Sequence, residues 1–279
     1  MRGFLWPTLL LGLALTGCTK VPVTGRRQYN IVPDSIMVGL GKSAYSQTLS
    51  ESKVEKKGDD AELLTKVGKR IANVANRKDY DWRYKLLDDE DTINAWCLPG
   101  GKIAVYTGIL PVLQNEAGMG FVLGHEVGHA VARHGAERLS QQLTVLGGMA
   151  GLYLYMDQKT GLSDQQKGII VAAMGAGAEV GVLLPFSRKQ ESEADVIGMM
   201  YMASAGYPPD EAIEIWDRMD KATGGSSLPA FLSTHPSDQN RKANLKDWLP
   251  QAKKRYARNK LSSNTQATIW EGLSGKKGK

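Results

Sequence analysis

The run VLGHEVGHAVARHG, residues 122 to 135, holds three of the chain's four histidines together with a glutamate. His125 and His129 stand four residues apart. On a helix that spacing leaves them about 40° apart around the axis and about 6 Å along it, so both imidazoles can converge on one ion. This HExxH arrangement places Glu126 beside the first histidine. Zinc takes imidazole nitrogen at about 2.0–2.1 Å, and a catalytic site uses three protein ligands while leaving a position for water. The pattern predicts one zinc ion per chain, held by His125 and His129, with Glu126 as the general base that takes the water's proton. His134 follows His125 by nine residues, which at about 100° per residue puts it on the opposite face of a continuous helix. Ala132 and Gly135 occupy the places that the HExxHxxGxxH class gives to glycine and histidine, so that class is excluded. His134 is expected at the helix end, against terminal carbonyls.

A third ligand must come from elsewhere. SRKQESEADVIG, residues 187 to 198, reads as a helix carrying Glu191, Glu193 and Asp195. Glu191 and Asp195 share a face, while Glu193 is turned about 200° from Glu191. Glu191 suits a ligand, and Asp195 an acceptor for the second nitrogen of a ligating imidazole. Three carboxylates in so short a run also suit a solvated helix face, and the run alone leaves both readings open. Glu193 is expected to be of no consequence to the metal.

The rest of the chain surrounds this helix with familiar signals. Helical spacing recurs in residues 37–77, as in Ala61, Leu64, Val67, Ile71 and Val74. Period-two alternation follows at Trp82, Tyr84 and Leu86, then TINAWCL, then Lys102 to Thr107 after the Pro99-Gly100-Gly101 turn. These predict a small antiparallel sheet ahead of the histidine helix. Asn115 reads as that helix's N-cap, and later helices are expected over 187–204 and 210–221. A strand at a sheet edge pairs main chain to main chain with an extended peptide. Asn94, Ala95, Gly100 and Gly101 are therefore the expected substrate edge. The Gly- and Ala-rich stretch from 147 to 181 fits either close helix packing or a cover over a cleft.

Arg2 precedes an apolar run from Phe4 to Leu15 that is too short for the roughly 20 residues of a spanning helix and suits a secretory signal. It ends in Leu15-Thr16-Gly17-Cys18, which resembles a bacterial lipobox, with Cys18 as the lipidated residue. That leaves Cys97 as the one ordinary cysteine, so no intramolecular disulfide is expected. The expected organisation is a signal peptide over 1–17, a tether over 18–36, a catalytic domain over 37–250 and a basic tail over 251–279. The net charge of +6 gathers partly in that tail, at KKRYARNK and KKGK. No paired-cysteine finger, phosphate loop or aromatic-interleaved basic strand is present in the sequence, and nucleic acid is excluded as a partner.

Taken together, GGKIAVYTGIL, VLGHEVGHAVARHGAERLS, SRKQESEADVIG, AGYPP and STHPSDQNR resemble the zinc metalloendopeptidase family that includes HtpX and the CAAX prenyl proteases. The likeness runs in order from about Val23 to Arg241 and looks nearest to bacterial periplasmic lipoproteins of the LoiP and BepA kind. It implies an α+β, mainly helical zincin fold with the small sheet beside the HExxH helix. It also implies Glu191 as third zinc ligand, and His235 near the zinc with Arg241 following at the matching distance. His235 then either donates to the oxyanion of the transition state or caps the metal at rest. The implied partners are unfolded or misassembled outer-membrane proteins, and the implied location is the periplasmic face of a bacterial outer membrane, reached through the Cys18 lipid. The competing function is a zinc-containing chaperone or assembly factor without catalysis. A structural zinc has no need of Glu126, whose presence favours the enzyme.

Overall fold

The computed structural model describes residues 18–55, 58–159, 163–165, 187–222, 231, 233, 235 and 239–259. The chain opens with two short strands, β1 (Cys18–Lys20) and β2 (Arg27–Tyr29), paired antiparallel. Helix α1 (Asp34–Glu51) follows, then strand β3 (Val54–Glu55) and helix α2 (Asp59–Ala75). Strands β4 (Arg83–Leu87), β5 (Ala95–Leu98) and β6 (Lys102–Tyr106) complete a four-stranded sheet in the order β3-β4-β6-β5. A short helix α3 (Leu110–Leu113) leads into α4 (Glu116–Val131) and α5 (His134–Lys159). Helices α6 (Arg188–Ser204), α7 (Glu211–Ala222) and α8 (Gln239–Asn259) follow.

Helix α4 is the centre of the molecule. Every residue from Glu116 to Val131 is buried, so this helix is enclosed on all sides, as a helix without a polar face must be. Asn115 caps it, its side-chain oxygen accepting from the Gly118 amide at 2.8 Å. Leu64, Val67 and Ile71 of α2, Ile103 and Val105 of β6 and Ile197 and Met200 of α6 join Phe121, Leu123 and Val127 in one core. Helix α6 starts on a capping box between Ser187 and Gln190 and packs against α4 at backbone distance. A Cβ on Gly124 would stand 2.8 Å from the Gly198 carbonyl oxygen, and one on Gly198 would stand 2.7 Å from the His125 nitrogen. Only hydrogen fits at that crossing.

Three features differ from the sequence reading. The sheet is mixed: β5 pairs antiparallel with β6 through the Pro99-Gly100-Gly101 turn, where both glycines have positive φ, but β4 pairs parallel with β6. Residues 88–94 carry the chain past β6, so β5 returns on the far side and becomes the edge strand. Alternation reports which face of a strand is buried but not which neighbour it pairs with. The segment expected to be a tether is instead packed structure, with Val21 and Gln28 buried and the Gln28 amide donating to the Ala132 carbonyl at 2.6 Å. Helix α8 also runs through residue 250 to Asn259, so part of the basic tail is helical.

Helix α5 extends through the first part of the Gly- and Ala-rich stretch to Lys159; most of the remainder, and residues 1–17 of the expected signal peptide, lie outside the described residues. No helix among the described residues is long and apolar enough to cross a membrane.

The α4–α6 contact yields a first prediction. Gly198→Ala should destabilise the fold by about 1–3 kcal/mol, the usual cost of overpacking, because the obstacle is backbone that cannot rotate away. Urea denaturation measures it; Gly135→Ala, whose Cβ would lie 3.6 Å from the end of the Met37 side chain, provides the control with little or no loss.

Candidate metal centre

The α4–α6 crossing brings His125 and His129 of α4 against Glu191 of α6. His235 joins them; its amide donates to the Phe231 carbonyl at 2.7 Å, and the Phe231 amide donates to the Ile93 carbonyl at 2.9 Å. Phe231 stacks on the His235 ring with centroids 4.5 Å apart. One donor atom from each of His125, His129, Glu191 and His235 lies within 4.8 Å of all the others. His125 Nε2 is 3.1 Å from His129 Nε2 and 3.3 Å from His235 Nδ1. Glu191 is 3.3 Å from His129 Nε2, 3.5 Å from His125 Nε2 and 3.1 Å from His235 Nδ1. Four ligands at 2.0–2.1 Å around a tetrahedral zinc are separated by roughly 3.3 Å. The donor set and its spacing fit that ion.

Glu126 lies beside this cluster. Its Oε1 is buried with no hydrogen-bond partner, 3.4 Å from His235 Nε2. Burial pushes its carboxyl above the ordinary glutamate value, against the pull of His235 and His125. Glu191 behaves oppositely: burial opposes its charge, but His129, His125 and His235 hold it far below the usual range. Burial drives His129 well below the ordinary histidine value, leaving it neutral as a ligand requires. His125 is buried too, but contact with Asp195 and Glu191 raises it to about 9.

Each α4 histidine uses its second nitrogen. His125 Nδ1 is 3.0 Å from Asp195 Oδ1. Arg241 Nε and Nη2 donate to the two Asp195 oxygens at 2.6 and 2.8 Å, and Nη1 sits 3.0 Å from Glu191. His129 Nδ1 is 2.9 Å from His134 Nδ1, and His134 Nε2 is 3.1 Å from Glu193.

A profile described as Peptidase family M48 matches residues 59–249. The chain belongs to peptidase family M48. It is 37% identical over 237 residues to the mitochondrial metalloendopeptidase OMA1 of Schizosaccharomyces pombe, covering 83% of this chain and 66% of that protein. It is 30% identical over 285 residues to OMA1 of Saccharomyces cerevisiae, covering 91% and 77%. The beta-barrel assembly-enhancing protease of Escherichia coli is 26% identical over 192 residues, covering 67% of this chain and 38% of that one. Against human OMA1 the chain spans about half the relative's length, at 46%.

These relatives correct two expectations. A particular likeness to periplasmic lipoproteins of the LoiP and BepA kind is not supported, since OMA1 proteins match at higher identity. The placement at the periplasmic face of a bacterial outer membrane is overturned, because those higher-identity relatives are named as mitochondrial.

The geometry of this M48 chain also corrects the reading of His134 and Glu193. Helix α4 stops at Val131, and Arg133 takes a left-handed φ of 58° before α5 begins at His134. The Arg133 guanidinium donates to the Val32 carbonyl at 2.8 Å and pairs with Asp34 at 2.8 Å, which holds that turn. The chain therefore bends, and His134 comes back toward the cluster instead of pointing to the far face. Glu193 is buried rather than solvated, at 7% exposure, and pairs with Arg26 at 2.7 Å. Sequence spacing on a continuous helix puts His134 on the face opposite His125 and turns Glu193 away from Glu191, with no sign of the Arg26 contact. The ARHGAE turn offered no glycine at the left-handed position to signal the break.

Strand β5 lies at the sheet edge beside α4, with Ala95 and Cys97 buried. Asn94 Oδ1 accepts from the Ala95 amide at 2.9 Å, and Gly100 and Gly101 form the turn at the other end. A cavity of about 250 Å³ opens between β5, α1 and the His129 turn, lined by Met37, Leu40, Tyr80, Cys97, Leu98 and Arg133 among others. Burial pushes the Cys97 thiol well up, so it serves there as a small apolar wall.

Arg241 is 2% exposed and neutralises two buried carboxylates. Arg241→Met should destabilise the metal-free protein by about 3–5 kcal/mol, because removing one partner of a buried pair leaves the other charge uncompensated. Chemical denaturation of both proteins in the presence of a chelator tests this.

Proposed function

We propose that this chain is a zinc metalloendopeptidase that cleaves extended or unfolded polypeptides. The observation that carries the reading is the set of four buried donors at tetrahedral spacing with the Glu126 oxygen left unpartnered beside them. In this reading His125, His129 and Glu191 hold the zinc. When bound, the ion polarises the scissile carbonyl and lowers the pKa of water toward about 7. Glu126 Oε1 accepts the proton of the attacking water and delivers it to the leaving amine, a transfer that its raised carboxyl pKa assists. Asp195 and Arg241 fix the His125 ring.

Strand β5 supplies the substrate template, with main-chain pairing that disregards most side chains. The apolar cavity against His129 then receives a large apolar substrate side chain next to the bond being cut. The LTGC motif supports a lipid on Cys18, the first residue of β1, as the membrane attachment; no leaflet, organelle or named client is part of the reading.

His235 occupies the fourth corner of the donor set, the position that a working site reserves for water. That placement supports a resting cap over the oxyanion donor, and turnover then requires the ring to move aside. His235→Ala should change the visible spectrum of the cobalt-substituted protein and raise casein cleavage. A loss of cleavage would instead assign it the donor role.

The reading as a whole is tested by two neighbouring variants. Glu126→Gln should retain stoichiometric zinc by elemental analysis and lose at least about 100-fold in casein cleavage, within the range assigned to a general base. Glu191→Gln should lose the metal as well. Equal cleavage by wild type and Glu126→Gln would remove the proposed mechanism.

A further inference from the structure

The contacts on the His129 side of the centre extend to Thr24 and Arg26, in a part of the chain that precedes the profile match at residues 59–249. Between β1 and β2 the chain makes a tight turn. The Val21 amide donates to the Arg26 carbonyl at 2.8 Å and the Gly25 amide to the Val21 carbonyl at 3.0 Å. Val23 and Gly25 both have positive φ, 68° and 69°. A β-branched residue in that region is strained and persists only where its surroundings over-determine it.

The result of the turn is to aim Arg26 inward. Its Nε donates to Glu193 Oε2 at 2.7 Å, and Nη1 and Nη2 donate to the two oxygens of Glu137 at 2.8 and 2.9 Å. Thr24 donates to the other Glu193 oxygen. Glu137 also accepts from Gln190 Nε2 at 2.8 Å. One guanidinium thus ties α5 to α6 through both carboxylates.

Hydrogen-bond direction extends this tie to the metal centre. For His129 to offer the Nε2 lone pair to a metal, the proton of its neutral ring must sit on Nδ1. That nitrogen faces His134 Nδ1 at 2.9 Å, which must then accept. The His134 proton is left on Nε2, 3.1 Å from Glu193 Oε2, an acceptor. With both rings neutral, only this arrangement satisfies both contacts. The His125 side has the same logic in shorter form, imidazole to Asp195 to Arg241.

We infer that Arg26 and Thr24 of the N-terminal hairpin, acting through Glu193 and His134, fix the tautomer and orientation of His129. They are positioning residues for the metal centre, contributed by a hairpin that precedes the profile match at residues 59–249. The inference rests on His129 being a zinc ligand.

Two measurements on the whole chain test it. The first needs no variant: in the ¹⁵N spectrum of histidine-labelled, zinc-loaded wild type, His134 should carry its proton on Nε2 and His129 on Nδ1. A His134 protonated on Nδ1 overturns the relay even if every substitution here proved unable to fold. The second is the zinc dissociation constant, read by competition with a chromophoric chelator. Arg26→Met and Glu193→Gln should each weaken zinc by roughly 10- to 100-fold, the usual effect of removing an outer partner of a ligand. The double variant should be little worse than the weaker single, since both act in one chain of contacts. A hairpin that only stabilises the fold would lower the melting temperature and leave zinc affinity and the His134 tautomer unmoved, and that result, or additive losses in the double variant, overturns the inference. Wild type that binds no zinc defeats the protease reading and this inference together, whereas zinc binding indifferent to Arg26 and Glu193 defeats the inference alone.

Discussion

The backbone contact between Gly124 and Gly198 is the constraint on which the centre depends. It lets α4 and α6 approach until the His125 amide nitrogen would touch any side chain placed on Gly198. At that separation Glu191 reaches both histidines of α4, and Asp195, one turn further along α6, meets the other nitrogen of the His125 ring. A larger residue at either glycine would part the helices. The imidazoles would remain four residues apart on α4, but the carboxylate that closes the set would recede. The close-packed core around these helices gives them no room to compensate, since interiors packed like crystals transmit a shift instead of absorbing it.

Such closeness carries an electrostatic demand. Around the centre four carboxylates, those of Glu126, Glu191, Glu193 and Asp195, are buried on α4 and α6. Isolated buried charges of one sign are costly, and burial of that kind persists only with pairing. Arg241 from α8 meets Glu191 and Asp195, and Arg26 from the hairpin meets Glu193 and Glu137. Glu126 is the exception, with its raised carboxyl pKa and an oxygen lacking a partner. Its Oε1, the atom without a hydrogen bond, lies 3.4 Å from His235 Nε2, on the side of the four-donor set.

What could be read from the sequence followed from local spacing. The convergence of His125 with His129, the shared face of Glu191 and Asp195, the Asn115 cap and the Pro99-Gly100-Gly101 turn all depend on a few adjacent residues and fixed helix or turn geometry. His235 and Arg241 were placed by family resemblance, since nothing in their own surroundings points to a partner on α4 or α6. The failures share one cause. The bend at Arg133, the parallel pairing of β4 with β6 and the burial of Glu193 are each imposed by segments distant in the chain. Residues 18–36 read as a tether because Pro, Gly and charge dominate them. Their inward arginine acquires meaning only against Glu193, 167 residues later.

That separation along the chain sets an order in time. His125 is 70 residues from Asp195 and 110 from His235, and Arg241 lies a further stretch beyond. During synthesis, at about 5–20 residues per second from the N-terminus, the two α4 histidines emerge seconds before the carboxylate and guanidinium that complete their surroundings. The hairpin waits longer still, made first and satisfied only when α6 appears. A nascent chain therefore holds its two α4 histidines for an interval before Glu191, the carboxylate that faces both of them, has been made. The four-donor set belongs to the finished chain, with α6 packed onto α4 and Arg26 paired with Glu193.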